Sequence, residues 1–145
     1  MTYLADADWV IDYLSGRADA HVLFPTLISG GLAISVMSRI ELWTGVAGSR
    51  DPVQAARDLR RFLRAVTVIP FNQRVQQATI QVRRDLLDRK LPIRHRAYDL
   101  IVAATALAYD LTLLTSNTRD YHDIPNLKRL NPRTGETTVP PPAET

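Results

Sequence analysis

Short apolar runs alternate with longer segments of helical periodicity along most of the chain, and this alternation is the strongest constraint on its fold. The apolar runs at residues 2–6, 32–36, 66–69 and 111–115 predict strands, and residues 126–130 are a further candidate. The predicted helices cover residues 9–14, 21–28, 38–45, a segment from 52, a segment from 72 to 87, and 97–109. Strands that alternate with helices predict a three-layer α/β fold, with helices on both faces of a mostly parallel sheet.

Four acidic residues stand where the chain leaves a predicted strand and enters a helix or turn. They are Asp6, Glu41, Asp99 and Asp120. The carboxyl ends of parallel strands meet at one edge of an α/β sheet, where such folds bind their ligands. Carboxylates gathered there repel one another unless a cation neutralises them, and oxygen-only ligands suit Mg²⁺ or Mn²⁺. The pattern therefore predicts a metal-dependent enzyme.

Each of these carboxylates also has a local structural explanation. The alternatives are helix N-caps for Asp6 and Asp8, a capping box between Ser38 and Glu41, a favourable first-turn charge for Asp99, and loop formation by Asn117 and Asp120. The convergence of the four positions on one sheet edge favours a shared metal site over four separate structural roles. A helix N-terminus also keeps a carboxylate ionised, as a metal ligand must be.

Positive charge is concentrated in the middle of the chain. Residues 57–96 carry eleven basic and three acidic residues, a net charge of +8, whereas the rest of the chain has a net charge of −5. A basic segment beside an acidic cluster is typical of an enzyme for a polyanion, because cations hold phosphates while carboxylates hold a metal. The alternative is a solvated helical face rich in arginine. The candidate contacts to the polyanion are Arg57, Arg60, Arg61, Arg64, Arg94 and Arg96.

Length and composition predict a single domain. A chain of 145 residues, 46% of them hydrophobic, can bury one substantial core, which we place in residues 1–131. Residues 132–145 contain three successive prolines and no apolar periodicity. We therefore predict that they form a flexible Pro-rich extension.

Several classes of protein are excluded by what the sequence lacks. There are no cysteines, which rules out disulfide scaffolds, thiolate metal sites and cysteine nucleophiles. The glycine-rich motifs of nucleotide-binding folds and the Gly-x-Ser-x-Gly motif of serine hydrolases are absent as well. We find neither a signal peptide nor an apolar run of the roughly 18 residues that span a bilayer, and we expect a cytoplasmic protein.

Four segments together resemble one family of nucleases. They are residues 3–12, 35–42, 99–106 and 113–121, which contain the four acidic residues and a Thr-x-Asn-x-x-Asp turn. In order and spacing these segments resemble the PIN-domain nucleases, and most nearly the VapC-type toxins of bacterial and archaeal type II toxin–antitoxin pairs. The resemblance covers about residues 2–131.

The resemblance implies a PIN-like α/β/α fold and a metal-dependent endoribonuclease that hydrolyses RNA phosphodiester bonds. The catalytic Mg²⁺ or Mn²⁺ site that it implies consists of Asp6, Glu41, Asp99 and Asp120, supported by Thr115 and Asn117. It further implies a homodimer, and a small antitoxin protein whose C-terminal segment covers the acidic pocket. The arginines of the basic segment would then contact RNA.

The first motif departs from the family pattern. The family usually has Asp-Thr-Asn or Asp-Thr-Ser there, whereas this chain has Asp6, Ala7 and Asp8. Asp8 is a candidate for a further metal ligand. Alternatively, its charge strengthens the demand of the acidic site for a divalent cation. Two alternative functions stay open: a PIN-like module that binds RNA or protein without cleavage, and a metal-dependent DNA nuclease or phosphatase.

Overall fold

The computed structural model describes residues 1–138, except for the side chain of Thr118. Its strands are β1 (Tyr3–Ala5), β2 (Leu32–Ser35), β3 (Thr67–Ile69), β4 (Thr112–Leu114), β5 (Arg129–Leu130) and β6 (Thr137–Thr138). Its helices are α1 (Ala7–Leu14), α2 (Ala18–Gly30), α3 (Val36–Ala47), α4 (Pro52–Ala65), α5 (Gln73–Asp88) and α6 (Ala97–Ala108), with a 3₁₀ turn at Thr118–Asp120. None of the helices in this described part of the chain combines the length and apolar character needed to cross a bilayer.

The strands form one sheet in the order β3-β2-β1-β4-β5-β6. Strands β1 to β5 are parallel to one another, and β6 runs antiparallel beside β5. Because β1 lies between β2 and β4, the segments that follow these three strands emerge side by side at one edge of the sheet. Asp6, helix α3 and Thr115 follow β1, β2 and β4 respectively. The topology therefore brings together parts of the chain that are far apart in sequence.

Alternate side chains of the strands enter two separate cores. Leu4 and Leu113 pack with α5 and α6 on one face of the sheet, whereas Ala5 and Leu114 pack with α1 to α4 on the other face. Full burial of a leucine such as Leu4 favours folding by about 2 kcal/mol. Helices thus cover both faces, and the predicted three-layer α/β/α fold with a mostly parallel sheet is confirmed.

Helix α2 stops at a glycine that no other residue can replace without strain. Gly31 has a φ of 86°, which places it in the left-handed region. A Cβ atom at Gly31 would also lie 2.8 Å from the Cα of Met1. This glycine therefore lets the chain pass from α2 directly into β2, beside the start of β1.

Helix α3 begins at Val36, two residues before the predicted start. Its N-cap is Ser35, whose Oγ accepts a hydrogen bond from the Met37 N–H at 3.1 Å. The alternative of a capping box between Ser38 and Glu41 is wrong, because Ser38 already lies inside the helix. The Ser38 Oγ is buried and has no hydrogen-bond partner among the described residues. Glu41 is left without a capping role.

The last described residues depart from the predicted flexible extension. Residues 132–138 turn back, and their β6 pairs with β5. Pro132 is buried, and Arg133 Nη2 lies 2.7 Å from Asp12 Oδ2. The prediction is corrected for this stretch because strand pairing uses backbone hydrogen bonds and needs no apolar side chains. Residues 139–145, with the three successive prolines, lie outside the described part of the chain.

Candidate active site

Asp6 is fixed at the carboxyl end of the central strand β1. It is the N-cap of α1, and its Oδ1 accepts a hydrogen bond from the Ala7 N–H at 2.8 Å. Its Oδ2 accepts hydrogen bonds from Thr115 Oγ1 at 3.1 Å and from Tyr121 Oη at 3.0 Å. Burial and the nearby charge of Asp8 nevertheless raise the pKa of Asp6 to about 6. Asp6 is therefore both the N-cap of α1 and a member of the acidic cluster.

Asp99 lies in the first turn of α6, on the opposite face of the sheet from α1. Its Oδ1 is 3.4 Å from Tyr121 Oη. Burial and the charge of Asp120 raise the pKa of Asp99, against the opposing effects of the Tyr121 hydrogen bond and the Arg96 guanidinium. Because Tyr121 contacts both Asp6 and Asp99, these two carboxylates flank a single hydroxyl group.

Glu41 and Asp120 complete the acidic cluster from two further elements. Glu41 lies in the second turn of α3 at the exposed rim, where partial burial and the charge of Asp99 raise its pKa. Asp120 ends the 3₁₀ turn and accepts a hydrogen bond from Asn117 Nδ2. The charge of Asp99 thus acts on Glu41, and the charge of Asp120 acts on Asp99. The four predicted acidic residues therefore share one electrostatic neighbourhood at the sheet edge.

The loop after β4 connects the first acidic residue to the last. Thr115 is fully buried, and its Oγ1 donates to Asp6 and accepts a hydrogen bond from the Asn117 N–H at 3.0 Å. Asn117 in turn donates from its side chain to Asp120. The two predicted supporting residues, Thr115 and Asn117, thus form a chain of hydrogen bonds that runs from Asp6 to Asp120.

Asp8, the departure in the first motif, is bound by the same loop. Its Oδ1 accepts from the Trp9 N–H at 2.6 Å, and its Oδ2 accepts from Ser116 Oγ at 2.8 Å. The bond from Ser116 joins the start of α1 to the loop after β4, and Ser116 was not predicted as part of the site. The charge of Asp8 also raises the pKa values of Asp6 and Asp99. Its role as a further metal ligand stays a prediction.

Tyr121 was not predicted as a site residue, although it follows Asp120 directly. Its ring is buried in the core of α5 and α6, and its hydroxyl reaches the acidic cluster. Burial and the charges of Asp6 and Asp99 raise the pKa of Tyr121, so the hydroxyl keeps its proton and acts as a donor. The sequence signal that could have indicated Tyr121 is its position: it is an aromatic residue with a hydroxyl group at the end of the fourth segment, residues 113–121.

The side chain of Arg96 forms hydrogen bonds and an ion pair within the protein. Its guanidinium forms a bidentate ion pair with Asp123, with N···O distances of 2.6 and 2.9 Å. It also donates to the carbonyl oxygens of Pro92 at 2.7 Å and Asp120 at 3.1 Å. These bonds use Nη1 and Nη2 to hold the Asp120 turn against the start of α6, and the contact of Arg96 with RNA stays a prediction.

Residues 3–127 match the family model of the PIN domain. The chain belongs to the PIN-domain family. Ribonuclease VapC19 from Mycobacterium tuberculosis is 35% identical to this PIN domain over 130 residues, which cover 86% of the chain and 96% of the relative. The resemblance to PIN-domain nucleases of the VapC type, predicted from four sequence segments, is thereby confirmed.

Solved structures have the same fold as this PIN domain. A crystal structure of VapBC2 from Rickettsia felis, bound to a DNA fragment from their promoter, contains a chain with a TM-score of 0.79 and 25% identity. That match covers 90% of this chain and 100% of the solved chain. A toxin–antitoxin complex from Klebsiella pneumoniae contains a chain with a TM-score of 0.66 and 25% identity, covering 90% and 98% of the two chains. The similarity therefore extends over the whole domain.

The other predicted RNA contacts lie at the surface of this PIN domain. The guanidinium of Arg60 lies over the ring of Trp43, 5.5 Å from its centroid, so this arginine is partly committed to a cation–π contact. The exposed arginines without such a ring contact are Arg57, Arg61 and Arg64 on α4 and Arg94 in the loop before α6. Their contact with RNA stays a prediction.

The carboxylates of this PIN domain fit a hydrated divalent cation. Within residues 1–138, no three acidic or histidine side chains are near enough to one another to enclose a metal ion. Mg²⁺ usually keeps several waters and is held by one or two carboxylates. Asp6 and Asp99, on either side of the Tyr121 hydroxyl, are oxygen donors of this kind. Burial and neighbouring carboxylates raise both pKa values, and a divalent cation would offset this charge, so the donor set fits Mg²⁺ or Mn²⁺.

Proposed function

We propose that this PIN domain is a metal-dependent endoribonuclease and the toxin of a type II toxin–antitoxin pair. The observation that carries the proposal is the gathering of Asp6, Glu41, Asp99 and Asp120 at the carboxyl edge of the sheet. The pKa values of Asp6, Glu41 and Asp99 are raised, as expected where a cation is needed. The relative named ribonuclease VapC19 and the toxin–antitoxin complex of similar fold support the same function.

The acidic side chains hold Mg²⁺ or Mn²⁺. When bound, the cation supplies activation of water and compensates charge on the phosphate undergoing cleavage. Asp6 is held by the Ala7 N–H and the Thr115 hydroxyl, so its carboxylate needs little rearrangement to bind. With a pKa of about 6, Asp6 is mostly ionised at pH 7 and able to act as a ligand. Asp99 lies in the first turn of α6, where the helix dipole favours a carboxylate, but burial and the charge of Asp120 still raise its pKa, so a bound cation would favour its ionised form.

The exposed arginines of α4 and the loop before α6 hold the RNA backbone. Guanidinium groups bind phosphate oxygens and position a nucleic acid without reading its sequence. Arg94 is the nearest of them in sequence to Asp99, five residues away. In this proposal Arg57, Arg61 and Arg64 extend the binding surface along α4.

A small antitoxin protein is the proposed regulatory partner, and a second copy of this chain completes a proposed homodimer. A groove of about 440 Å³ between α1, α3 and α4 has Glu41 at its edge. Its lining includes the apolar side chains of Ile11, Leu42 and Val46. An amphipathic segment of the antitoxin fits such a groove. A guanidinium carried by that segment would pair with the acidic cluster and compete with the metal ion.

A cleavage assay with purified protein tests this function against its alternatives. We expect cleavage of RNA in Mn²⁺ or Mg²⁺, none after chelation, and no comparable action on single-stranded DNA or a phosphomonoester. RNA binding without cleavage would favour the non-catalytic module. Cleavage of DNA or of the phosphomonoester in place of RNA would favour the other metal-dependent enzymes.

The variant Asp99→Asn tests the acidic site directly. It keeps the shape of the side chain but removes a charge, and we expect RNA cleavage to fall by at least about 100-fold. Asp110→Asn is the matched control, because Asp110 follows the other end of α6 and its side chain is 90% exposed. Wild-type activity of Asp99→Asn in Mg²⁺ would remove Asp99 from the site.

A further inference from the structure

The hydroxyl of Tyr121 occupies the space between two of the site carboxylates. It lies 3.0 Å from Asp6 Oδ2 and 3.4 Å from Asp99 Oδ1. Asp6 reaches this point from the end of β1, and Asp99 reaches it from the first turn of α6. These elements pack on opposite faces of the sheet, so the hydroxyl joins the two halves of the site.

The ring of Tyr121 is packed in the core that α5 and α6 form. It is 1% exposed and packs in the same core as Ile124 and Leu127. The following chain is therefore anchored with it, and the position of the oxygen is set by the core. A single O–H group donates fully to one acceptor at a time, and the shorter distance assigns that bond to Asp6.

We propose that Tyr121 is a positioning residue that holds Asp6 and Asp99 at the separation a divalent cation requires. The inference rests on the proposed function, because it needs the acidic cluster to bind metal. Two ionised carboxylates repel each other, and a buried donor between them offsets part of this repulsion before the cation arrives. Without the hydroxyl, Asp6 and Asp99 would turn apart, and the cation would have to reassemble its own site.

The variant Tyr121→Phe isolates the hydroxyl, since phenylalanine keeps the ring in the core. Titration calorimetry with Mn²⁺ alone should show binding to the variant weakened by about 10- to 100-fold, the usual effect of losing a group that orients metal ligands. The matched control is Tyr109→Phe, because the Tyr109 hydroxyl accepts a hydrogen bond from Asn72 Nδ2 at 2.7 Å. Tyr109→Phe also removes a partly buried hydrogen bond of a tyrosine hydroxyl, but one at the far end of α6. It should therefore bind Mn²⁺ as the wild type does.

The outcomes separate this inference from the function on which it rests. Circular dichroism of each variant without metal checks that the fold is kept. Equal Mn²⁺ affinity of wild type and Tyr121→Phe would overturn the positioning role and leave the proposed nuclease intact. Equal weakening in Tyr121→Phe and Tyr109→Phe would also overturn it, since general loosening of the core would then explain both. A wild-type protein that binds no Mn²⁺ would overturn the metal-dependent function itself.

Discussion

The ion pair of Arg96 and Asp123 lies behind the acidic cluster, with side chains only 15% and 8% exposed. Burial alone would raise the pKa of Asp123, but the hydrogen bonds and charge of Arg96 outweigh it and lower that pKa. Arg96 also bonds the carbonyl oxygen of Asp120. An arginine that the sequence suggested for RNA therefore fixes the turn that carries a site carboxylate.

We expect Asp123→Asn to lower the free energy of unfolding by about 2 kcal/mol at pH 7, because it leaves a poorly exposed guanidinium without its counter-charge. A lowered pKa in the folded state contributes stability above the unfolded-state value of 3.8, and that contribution disappears as the pH falls through the lowered value. The difference between wild type and variant in urea unfolding should therefore shrink below about pH 4.

Asp110→Asn is the control for this measurement. The Asp110–Lys128 ion pair is exposed, with 90% of the aspartate side chain accessible to solvent. Exposed pairs contribute little to stability, so this change should cost less than about 1 kcal/mol. Similar losses of unfolding free energy in the two variants would show that the Arg96–Asp123 pair stabilises the fold no more than an exposed pair does.

The positions of the site carboxylates could be predicted from sequence, because each stands at a local boundary between a strand and a helix or turn. Of the groups that hold them, Thr115 and Asn117 were predicted only through the family resemblance, and their contacts could not be derived from local sequence. The hydrogen bond from Thr115 to Asp6 joins residues 109 positions apart, and that from Tyr121 to Asp6 joins residues 115 positions apart. Such pairs follow from strand order, which local periodicity does not specify. Tyr121 and Ser116 were missed for this reason.

Helices and strands were predictable as elements because apolar spacing is a local property, whereas their ends depend on competing contacts. Ser35 and Ser38 are both acceptable N-caps for α3, and the buried end of β2 decides in favour of Ser35. Strand β6 was missed because Thr137–Thr138 have no apolar pattern. Its partner, β5, determines that these residues are extended.

Shortening the chain tests how much β6 contributes to the stability of the fold. Ending it after Asn131 removes β6 and the Arg133–Asp12 ion pair, and we expect a loss of about 1–3 kcal/mol in the free energy of unfolding. Ending it after Thr138 keeps both features and should cost less. Thermal unfolding of the two shortened proteins distinguishes these cases. Identical melting temperatures would mean that the β5–β6 pairing adds nothing to stability.

The basic segment of residues 57–96 is continuous in sequence but not on the molecule. Helix α4 packs with α1 to α3 on one face of the sheet, whereas α5 packs with α6 on the other. The sheet therefore separates Arg61 and Arg64 of α4 from Arg83 and Arg84 of α5. A single RNA strand that lies along one face meets only one of these two sets.

We expect the double variant Arg61→Gln and Arg64→Gln to weaken RNA binding and to reduce its dependence on salt. Each lost phosphate contact lowers the slope of log affinity against log salt by about 0.7 for a single strand. Binding is measured at several salt concentrations in the Asp99→Asn background, which prevents cleavage. The matched control, Arg83→Gln with Arg84→Gln on α5, should keep the wild-type slope. A reduced slope in the α5 pair alone would place RNA on the opposite face.

The central place of β1 in the sheet has a consequence for how the protein is made. Asp6 leaves the ribosome more than a hundred residues before its partners Thr115 and Tyr121. Chains begin to fold from the N-terminus during synthesis, yet this site cannot close until β4 has paired with β1. On the proposed function, an unfinished chain has no complete nuclease site. On that proposal, a nascent chain that ends before Tyr121 would have no nuclease activity.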